Sequence, residues 1–243
     1  MTLPVFLGPV TGVSVGDRVV VEGDEARHAV VVRRTRVGEE IVLTDGVGTA
    51  ATCAVSDTSK TSLAASVLSV AVHEPPTPRV TVVQAIPKGD RGELAVEVLT
   101  EIGVDRIVPW AAARSVGVWR GERAAKSLAK WQSTARESGK QSRRAWLPSV
   151  SPMATTDEVV AMVEEADLAV VLHEAADAPM AALPLEGVAS ILVVVGPEGG
   201  ITDEELAALG AAHVVRLGES VLRTSTAGVA AVAALLSRTD RWA

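Results

Sequence analysis

Residues 191–200 read Ile191-Leu192-Val193-Val194-Val195-Gly196-Pro197-Glu198-Gly199-Gly200, an apolar run that leads directly into a glycine-rich turn. Thr202 and Glu205 follow with the spacing of a capping box, which predicts that a helix begins just after the turn. The carboxyl ends of parallel strands are where open α/β sheets bind ligands, and glycines let the backbone close on one. The turn is therefore a candidate ligand site. A tight turn without a ligand fits the same residues.

From residue 80 onward, similar apolar runs alternate with amphipathic segments. This alternation predicts a parallel sheet flanked by helices, the α/β class. Strands are predicted at residues 80–86, 106–110, 168–173, 190–196 and 213–217. Helices are predicted at residues 89–102, 121–140, 156–165, 202–209 and 225–238.

The N-terminal part has a different pattern. Residues 17–72 contain short β-prone runs separated by turn residues, which predicts a small β-barrel. Pro75, Pro76 and Pro78 follow, and they favour an extended, semi-rigid connection. We therefore predict a β-barrel domain at residues 1–73, a proline-rich linker at 74–79 and an α/β domain at 80–243.

The composition bounds the kind of protein. With 243 residues, of which 48% are apolar, the chain can bury a substantial core. No stretch approaches the roughly 20 apolar residues that span a bilayer, and the first residues lack the pattern of a signal peptide, so a cytoplasmic protein without membrane contact is expected. Cys53 is the single cysteine, which excludes an intramolecular disulfide and argues against a metal site built from cysteines. We expect Cys53 to be a small buried apolar residue.

The charge is unevenly distributed along the chain. The formal net charge is -7, which argues against a generic nucleic-acid binder. Residues 114–144, however, contain nine basic and two acidic residues, whereas residues 145–213 contain twelve acidic residues and no lysine or arginine. One face can therefore be basic enough to bind RNA phosphates. A solvated helix beside acidic loops is the alternative. The candidate RNA-binding residues of this segment are Arg114, Arg120, Arg123, Lys126 and Lys130.

A second polar element follows the last predicted strand. Residues 217–228 place Arg223 and several hydroxyl groups between the apolar pair Val221-Leu222 and the start of a helix. Arg223 is therefore a candidate functional cation, and a plain surface arginine is the alternative.

Together, these stretches resemble the ribosomal RNA small subunit methyltransferase E family of the SPOUT, or trefoil-knot, methyltransferases. The resemblance covers nearly the whole chain, and its motifs are specific in their order and spacing. Two of the motifs are residues 195–200 followed by Glu204 or Glu205, and residues 217–218 followed by 221–224 and 226–227. Two others are His28 with Val32, Arg34 and Gly38, and residues 88–91 with Glu93 and 100–104. Residues 114–116, and the stretch from Trp131 through Glu137, Gln141 and Arg144 to Pro148, complete the set.

The resemblance implies a small N-terminal PUA-like β-barrel that binds RNA, joined to a C-terminal trefoil-knot domain that binds S-adenosyl-L-methionine. It also implies a homodimer, with the small ribosomal subunit as partner and N3 of a uridine in 16S ribosomal RNA as the methylated atom. The implied cofactor contacts fall on three loops: Leu172, His173 and Glu174; Val195, Gly196, Pro197, Glu198, Gly199, Gly200 and Ile201; and Leu217, Gly218, Ser220, Val221 and Leu222.

Methylation of uracil N3 requires loss of the imide proton, which spreads negative charge over O2 and O4. A guanidinium aimed at this charge would stabilise the transition state. Arg223 and Arg144 are the candidates for that role or for binding phosphate. Glu198 is a candidate proton acceptor, and a hydrogen-bonding role within its loop is the alternative.

Further RNA contacts are predicted at His28, Arg33 and Arg34 in the barrel, and at Lys88 and Arg91 after the first strand of the α/β domain. A satisfied turn histidine and solvated arginines are the competing interpretation for the barrel residues. Two other functions remain open. One is an RNA-binding or ribosome-assembly factor without catalysis, and the other is a SPOUT enzyme that modifies transfer RNA or a ribose hydroxyl.

Overall fold

The computed structural model describes residues 3–117 and 119–242. The chain forms two compact units. The first unit comprises Met1–Pro75 and Gly139–Leu147, and the second comprises Pro76–Ser138 and Pro148–Ala243. The sequence prediction assigned the whole of residues 80–243 to one domain, so the position of residues 139–147 differs from the prediction.

The first unit is built on one five-stranded sheet in the order β1-β3-β4-β5-β2. Its pairs are antiparallel except for β1 with β3, which is parallel. A short helix that continues into a π-helical turn crosses between β2 and β3. Cys53 is fully buried in the core of this unit, which confirms the prediction for that residue. The elements are β1 Val5–Leu7, β2 Arg18–Glu22, α1 Gly23–Arg27, the π-helical turn His28–Val32, β3 Glu40–Thr44, β4 Thr49–Thr58 and β5 Ser62–Val72.

Long-range hydrogen bonds attach residues 139–147 to the first unit. The Lys140 ammonium donates to both carboxylate oxygens of Glu25, each at 3.0 Å, and its side chain is only 4% exposed. The Trp146 indole N–H donates to the carbonyl of His73 at 2.9 Å. These partners are distant in sequence, so local periodicity could not predict where the segment packs.

The second unit contains a six-stranded parallel sheet in the order β11-β9-β10-β6-β7-β8. All the predicted strands and helices of this part of the chain are present, and their ends differ from prediction by at most two residues. The elements are β6 Arg79–Ala85, α2 Arg91–Ile102, β7 Arg106–Trp110, α3 Glu122–Gln141, β8 Ser149–Val150, α4 Thr156–Glu165, β9 Leu168–Leu172, β10 Ser190–Val195, α5 Asp203–Ala208, β11 His213–Val215 and α6 Thr224–Leu236.

Both faces of this sheet are buried. In β10, Val193 packs with one apolar cluster, which includes residues of α2 and α6, and Val194 packs with another, which includes residues of α4. A strand covered on both faces gains from apolar residues at every position, which accounts for the unbroken apolar run of β10. Among the described residues, no helix combines the length and apolar character needed to cross a membrane.

Asp167 fixes β9 to β10 at the end of the sheet where both strands begin. Its carboxylate accepts hydrogen bonds from the Ser190 hydroxyl and backbone N–H at 2.9 Å and from the Ala189 N–H at 3.1 Å. These bonds, led by the one from the Ser190 side chain, lower the pKa of Asp167. The contact thereby helps to set the register of two strands whose opposite ends carry the candidate site.

We expect Asp167→Ala to lower the melting temperature at pH 7. A lowered pKa in the folded state means that the carboxylate stabilises the fold above its unfolded pKa of about 3.9, and that this contribution is lost as the pH falls through the folded value. Thermal melts across the acid range should therefore show the variant and the wild type converging. Glu186→Ala, which removes an exposed acid of the same unit, is the control. A gap that stays constant down to pH 2 would contradict this interpretation.

Candidate functional site

Three loops begin at the same level of the parallel sheet. Leu172 at the end of β9 pairs with Val195 at the end of β10 and with Val215 at the end of β11. The loops that follow these strands, together with the start of α6, enclose a cavity of about 320 Å³. This volume lies at the lower end of the range of small-molecule sites, about 300–1,000 Å³. The position is the one predicted for a ligand from the glycine-rich turn.

The loop after β10 is a tight turn whose shape depends on Gly196. A Cβ atom at this position would lie 2.7 Å from Cγ1 of Ile201, which is itself buried and lines the cavity. The Gly200 N–H donates to the carbonyl of Pro197 at 2.9 Å and closes the turn, and Gly200 has a φ of +77°. The backbone of this loop therefore forms part of the cavity wall.

Glu205 joins this loop to the one after β7. One carboxylate oxygen of Glu205 accepts a hydrogen bond from the Thr202 N–H, which completes and confirms the predicted capping box. The other accepts a hydrogen bond from the Ala113 N–H at 2.7 Å. Since Glu205 is only 6% exposed, this carboxylate is a buried tie between two loops. The capping-box pattern in the sequence predicted the contact with Thr202, but it contains no signal for the contact with Ala113.

Gly199 lies outside the cavity wall. A Cβ atom there would be 2.9 Å from the Cβ of Arg114 and 3.0 Å from its carbonyl oxygen. The Arg114 guanidinium donates to the Gly199 carbonyl at 3.3 Å. Gly199 therefore lets the backbone pack closely against Arg114 and not against a ligand. Arg114, which was predicted to bind RNA, stabilises the loop through this contact.

Arg114 also contributes to the electrostatics of α5. The pKa of the Glu204 carboxyl is lowered by a hydrogen bond from its own backbone N–H, then by the Thr202 hydroxyl and by the positive charge of Arg114. Arg114 thus interacts with both the turn after β10 and the first turn of α5.

The loop after β11 presents apolar side chains to solvent at the cavity. Val221 is 77% exposed and Leu222 is 39% exposed, and both line the cavity. Upstream, the Arg216 N–H donates to the Ala178 carbonyl, and the Arg216 carbonyl accepts from the Met180 N–H. Exposed apolar residues on a braced loop beside a cavity are typical of a surface that a ligand covers.

Arg223 and Glu198, two of the three predicted catalytic residues, line the cavity. Arg223 is exposed and occupies the N-cap position of α6, with its backbone extended at φ −69° and ψ 149°. One carboxylate oxygen of Glu198 accepts a hydrogen bond from the Lys88 N–H at 3.2 Å. Glu198 therefore holds the β6–α2 loop to the turn after β10, the loop role that was the alternative to proton transfer.

The predicted cofactor residues converge on this cavity, with the exception of Gly199. Arg91, predicted from the resemblance to bind RNA, lines it as well. The prediction did not include five further lining residues, all close in sequence to named ones or to the start of α6. The predicted residues at the cavity are Leu172, His173, Glu174, Val195, Gly196, Pro197, Glu198, Gly200, Ile201, Leu217, Gly218, Ser220, Val221 and Leu222, and the further ones are Val215, Arg216, Glu219, Thr224 and Ala227.

Arg144 and the predicted barrel residues belong to the first unit. Arg144 is half-buried, and its backbone N–H donates to the Gly139 carbonyl at 3.0 Å. The His28 ring packs edge-on against Phe6 with ring centroids 6.0 Å apart, so this histidine is partly a packing residue. Arg33 and Arg34 are exposed, and Arg34 adopts a positive φ of 59°.

The basic segment folds as predicted into a helix with a charged face. Arg123, Lys126 and Lys130 are exposed and spaced three and four residues apart on α3, so they share one face. Lys130 is paired with Glu93 at 2.9 Å, and the hydrogen bond to Glu93 raises the pKa of the lysine. Lys88 and Arg120 are also exposed. Arg123 and Lys126 are therefore better placed than Lys130 to bind an external phosphate.

Comparison with known proteins agrees with this architecture. A family model described as an RNA methyltransferase domain matches residues 73–236, and one described as an RNA methyltransferase PUA domain matches residues 21–68. The fold, the cavity at the strand ends and these two matches define an RNA methyltransferase with a PUA domain.

Similar proteins narrow the class. Ribosomal RNA small subunit methyltransferase E of Mycobacterium bovis is 46% identical over 229 residues, which cover 92% of this chain and 87% of that protein. The protein of the same name from Bacillus subtilis is 31% identical over 232 residues, covering 90% of each chain. A crystal structure of ribosomal RNA small subunit methyltransferase E from Neisseria gonorrhoeae bound to S-adenosyl methionine has a TM-score of 0.86 and 29% identity, and the match covers 97% of this chain and 98% of that one. The chain belongs to the ribosomal RNA small subunit methyltransferase E family.

Proposed function

We propose that the protein is a cytosolic, homodimeric enzyme that transfers the methyl group of S-adenosylmethionine to N3 of a uridine in 16S ribosomal RNA of the small subunit. The observation that carries the proposal is the cavity of about 320 Å³ at the ends of β9, β10 and β11, with Arg223 at its rim. It combines a ligand site built from strand-end loops with a cation next to the place where a reacting base would lie.

The residues of the cavity fit S-adenosylmethionine. Val221 and Leu222 expose apolar surface that the adenosine part would cover. Residues 172–174, 195–198 and 200–201 line the cavity, and their backbone groups can hydrogen-bond its polar edges. Arg91 and Arg216 also line the cavity and offer cations for the methionine carboxylate. When bound, the cofactor supplies an electrophilic methyl group.

The chain's own residues account for the remaining chemistry. As N3 gives up its proton to solvent water, negative charge spreads over O2 and O4 of uracil. The Arg223 guanidinium stabilises that charge, since a cation preorganised at a site of developing charge lowers the barrier. Glu198 holds the Lys88 loop in place through its hydrogen bond. Arg144, in the first unit, is assigned to RNA phosphate, and so are the exposed arginines Arg33 and Arg34.

The homodimer and the trefoil knot are further parts of this proposal. The knot is supported by the path of the chain after β11, an edge strand of the sheet. Arg216 passes beside Ala178 and Met180, and α6 then packs against the central strands β6 and β10. The dimer is supported by the family resemblance and by apolar residues exposed in the second unit, such as Leu94 and Val116.

A methyl-transfer assay with radiolabelled S-adenosylmethionine tests the proposal. Small subunits from a strain that lacks the gene, deproteinised 16S RNA and transfer RNA are offered as separate substrates. We expect label in 16S RNA and none in transfer RNA. Label in transfer RNA would favour the alternative SPOUT activity, and RNA binding without cofactor binding or label would favour an assembly factor.

The α3 cations give a separate prediction for RNA binding. We expect Arg123→Gln and Lys126→Gln each to lower RNA affinity and to flatten the slope of log K against log salt by about one unit, because each removes one phosphate contact. Lys130→Gln is the matched variant on the same face, and its effect should be smaller because Lys130 is paired with Glu93. Filter binding across a salt series measures the slopes. Unchanged slopes for Arg123→Gln and Lys126→Gln would make this face a solvated surface only.

A further inference from the structure

A polar side chain is buried at the end of the strand next to β10. Gln84, the second-last residue of β6, is 0% exposed. Its amide nitrogen donates to the carbonyl oxygens of Ala85 at 3.1 Å and of Thr224 at 3.3 Å. Both neighbours are acceptors, so the nitrogen and not the oxygen must face them. The Gln84 Oε1 atom has no hydrogen-bond partner within residues 3–117 and 119–242.

Stability does not explain a glutamine at this position. A buried acceptor without a donor destabilises a fold, whereas an apolar side chain of the same shape would pack without that penalty. The Thr224 carbonyl, at the first residue of α6, is also in position to accept an intrahelical hydrogen bond from the N–H four residues later. The amide is therefore not required to satisfy it. What the amide adds is a fixed distance between β6 and the start of α6.

The start of α6 is the part of the helix that borders the cavity. Thr224 lines the cavity, and Arg223 immediately before it is the N-cap. Gln84 pairs in register with Val195, which lines the cavity from β10. One turn into the helix, a Cβ atom at Gly228 would lie 3.3 Å from Val195 and 3.6 Å from Val82. The first turn of α6 therefore contacts the sheet at two places, through the Gln84 amide and through Gly228.

We propose that Gln84 is a positioning residue for methyl transfer: its amide holds the first residue of α6 and thereby places the Arg223 guanidinium at the cavity. The proposal rests on the proposed function, in which Arg223 stabilises charge on uracil. Gln84 itself touches neither the cavity nor the reacting atoms and acts through the backbone of residues 223–224. It was not among the residues singled out from the sequence.

The test uses Gln84→Met, which keeps the length and removes the amide. We expect the single-turnover rate of methyl transfer to fall by about tenfold, short of the 10²-fold that a full 1 Å misplacement can cost. Cofactor affinity should stay near the wild-type value, because the loops at 172–174 and 195–201 are unchanged. The melting temperature should not fall, because the unpartnered oxygen is removed as well. Thr100→Val, a buried hydroxyl on α2 outside the cavity wall, is the control and should keep the wild-type rate.

Combining the substitution with Arg223→Ala separates positioning from other roles. If Gln84 acts by placing Arg223, Gln84→Met should cause little further loss in the Arg223→Ala background, since the two residues then act as a unit. Additive losses would overturn the proposed route, and so would a folded Gln84→Met protein with the wild-type rate. If the wild type transfers no methyl group in the same assay, the proposed function fails instead, which is a distinguishable result.

Gln84→Glu gives a second test that does not depend on the folding of the methionine variant. A protonated carboxyl can donate to the Thr224 carbonyl, whereas an ionised one would face two carbonyl oxygens. We therefore expect its rate, relative to the wild type, to rise as the pH falls. A pH profile parallel to that of the wild type would overturn the proposal.

Discussion

Replacing Arg223 by alanine is expected to lower the rate of methyl transfer by about 10²–10³-fold, the loss typical of removing one donor that stabilises an oxyanion. The residue lines the cavity, is exposed, and stands at the N-cap of α6, directly after the apolar pair Val221-Leu222. Cofactor affinity should change little, because the three loops proposed to bind the cofactor keep their structure. Single-turnover assays on purified small subunits, with S-adenosylmethionine binding measured alongside, separate the two quantities.

Arg223→Lys refines this prediction. Lysine keeps the positive charge and loses the planar fork of the guanidinium, so partial recovery of the rate indicates a point-charge role, and no recovery indicates bidentate geometry. Arg241→Lys would be an unsuitable control because Arg241 pairs with Asp105 in the structure. Arg79→Ala is the better one, since that arginine is exposed, lies at the start of β6 and does not line the cavity. An Arg223→Ala protein that methylates at the wild-type single-turnover rate with saturating RNA would remove Arg223 from the mechanism.

Gly196→Val is expected to weaken S-adenosylmethionine binding severely. The new Cβ would lie 2.7 Å from Ile201, so either that buried side chain, which lines the cavity, or the turn must shift. Overpacking of this kind costs roughly 1–3 kcal/mol, and a cost borne by the bound state lowers affinity by about 5- to 150-fold. Titration calorimetry on the folded variant measures the loss.

Gly199→Val is the matched variant for this experiment. Its side chain would meet Arg114 instead of Ile201, outside the cavity wall. We therefore expect a smaller loss of cofactor affinity than for Gly196→Val. Equal losses of cofactor affinity in the two variants would show that the turn responds as one rigid piece. Wild-type affinity for a folded Gly196→Val protein would contradict the proposed placement of the cofactor.

The sequence predicted the second unit well because its signals are local. The unbroken apolar run of β10 indicates a strand covered on both faces, and Thr202 with Glu205 marks the start of α5 within one residue. The strands β1 and β8 escaped prediction because runs of three and two residues carry no detectable period. The helix and π-helical turn at residues 23–32 were also missed, since they interrupt a segment whose surroundings are β-prone.

The candidate site was predictable in its loops and not in its long-range contacts. The family motifs named most of the residues that line the cavity, including those of the turn after β10. No spacing rule connects Gln84 with Thr224, which lie 140 positions apart, or Glu205 with Ala113. The same holds for Lys140 and Glu25, whose ion pair brings the last turn of α3 into the first unit. Such contacts depend on the tertiary fold, so only the structure shows which polar residues act as ties.

Mass mapping of 16S ribosomal RNA tests the central claim most directly. RNA from a strain that lacks the gene is compared with RNA from the same strain carrying either the wild-type gene or the Arg223→Ala gene. We predict that the wild-type gene restores one methyl group on a uracil base, with fragmentation that places it at N3, and that the variant restores little of it. A methyl group on a ribose, a methylated nucleotide in transfer RNA instead, or identical 16S RNA with and without the gene would contradict the account.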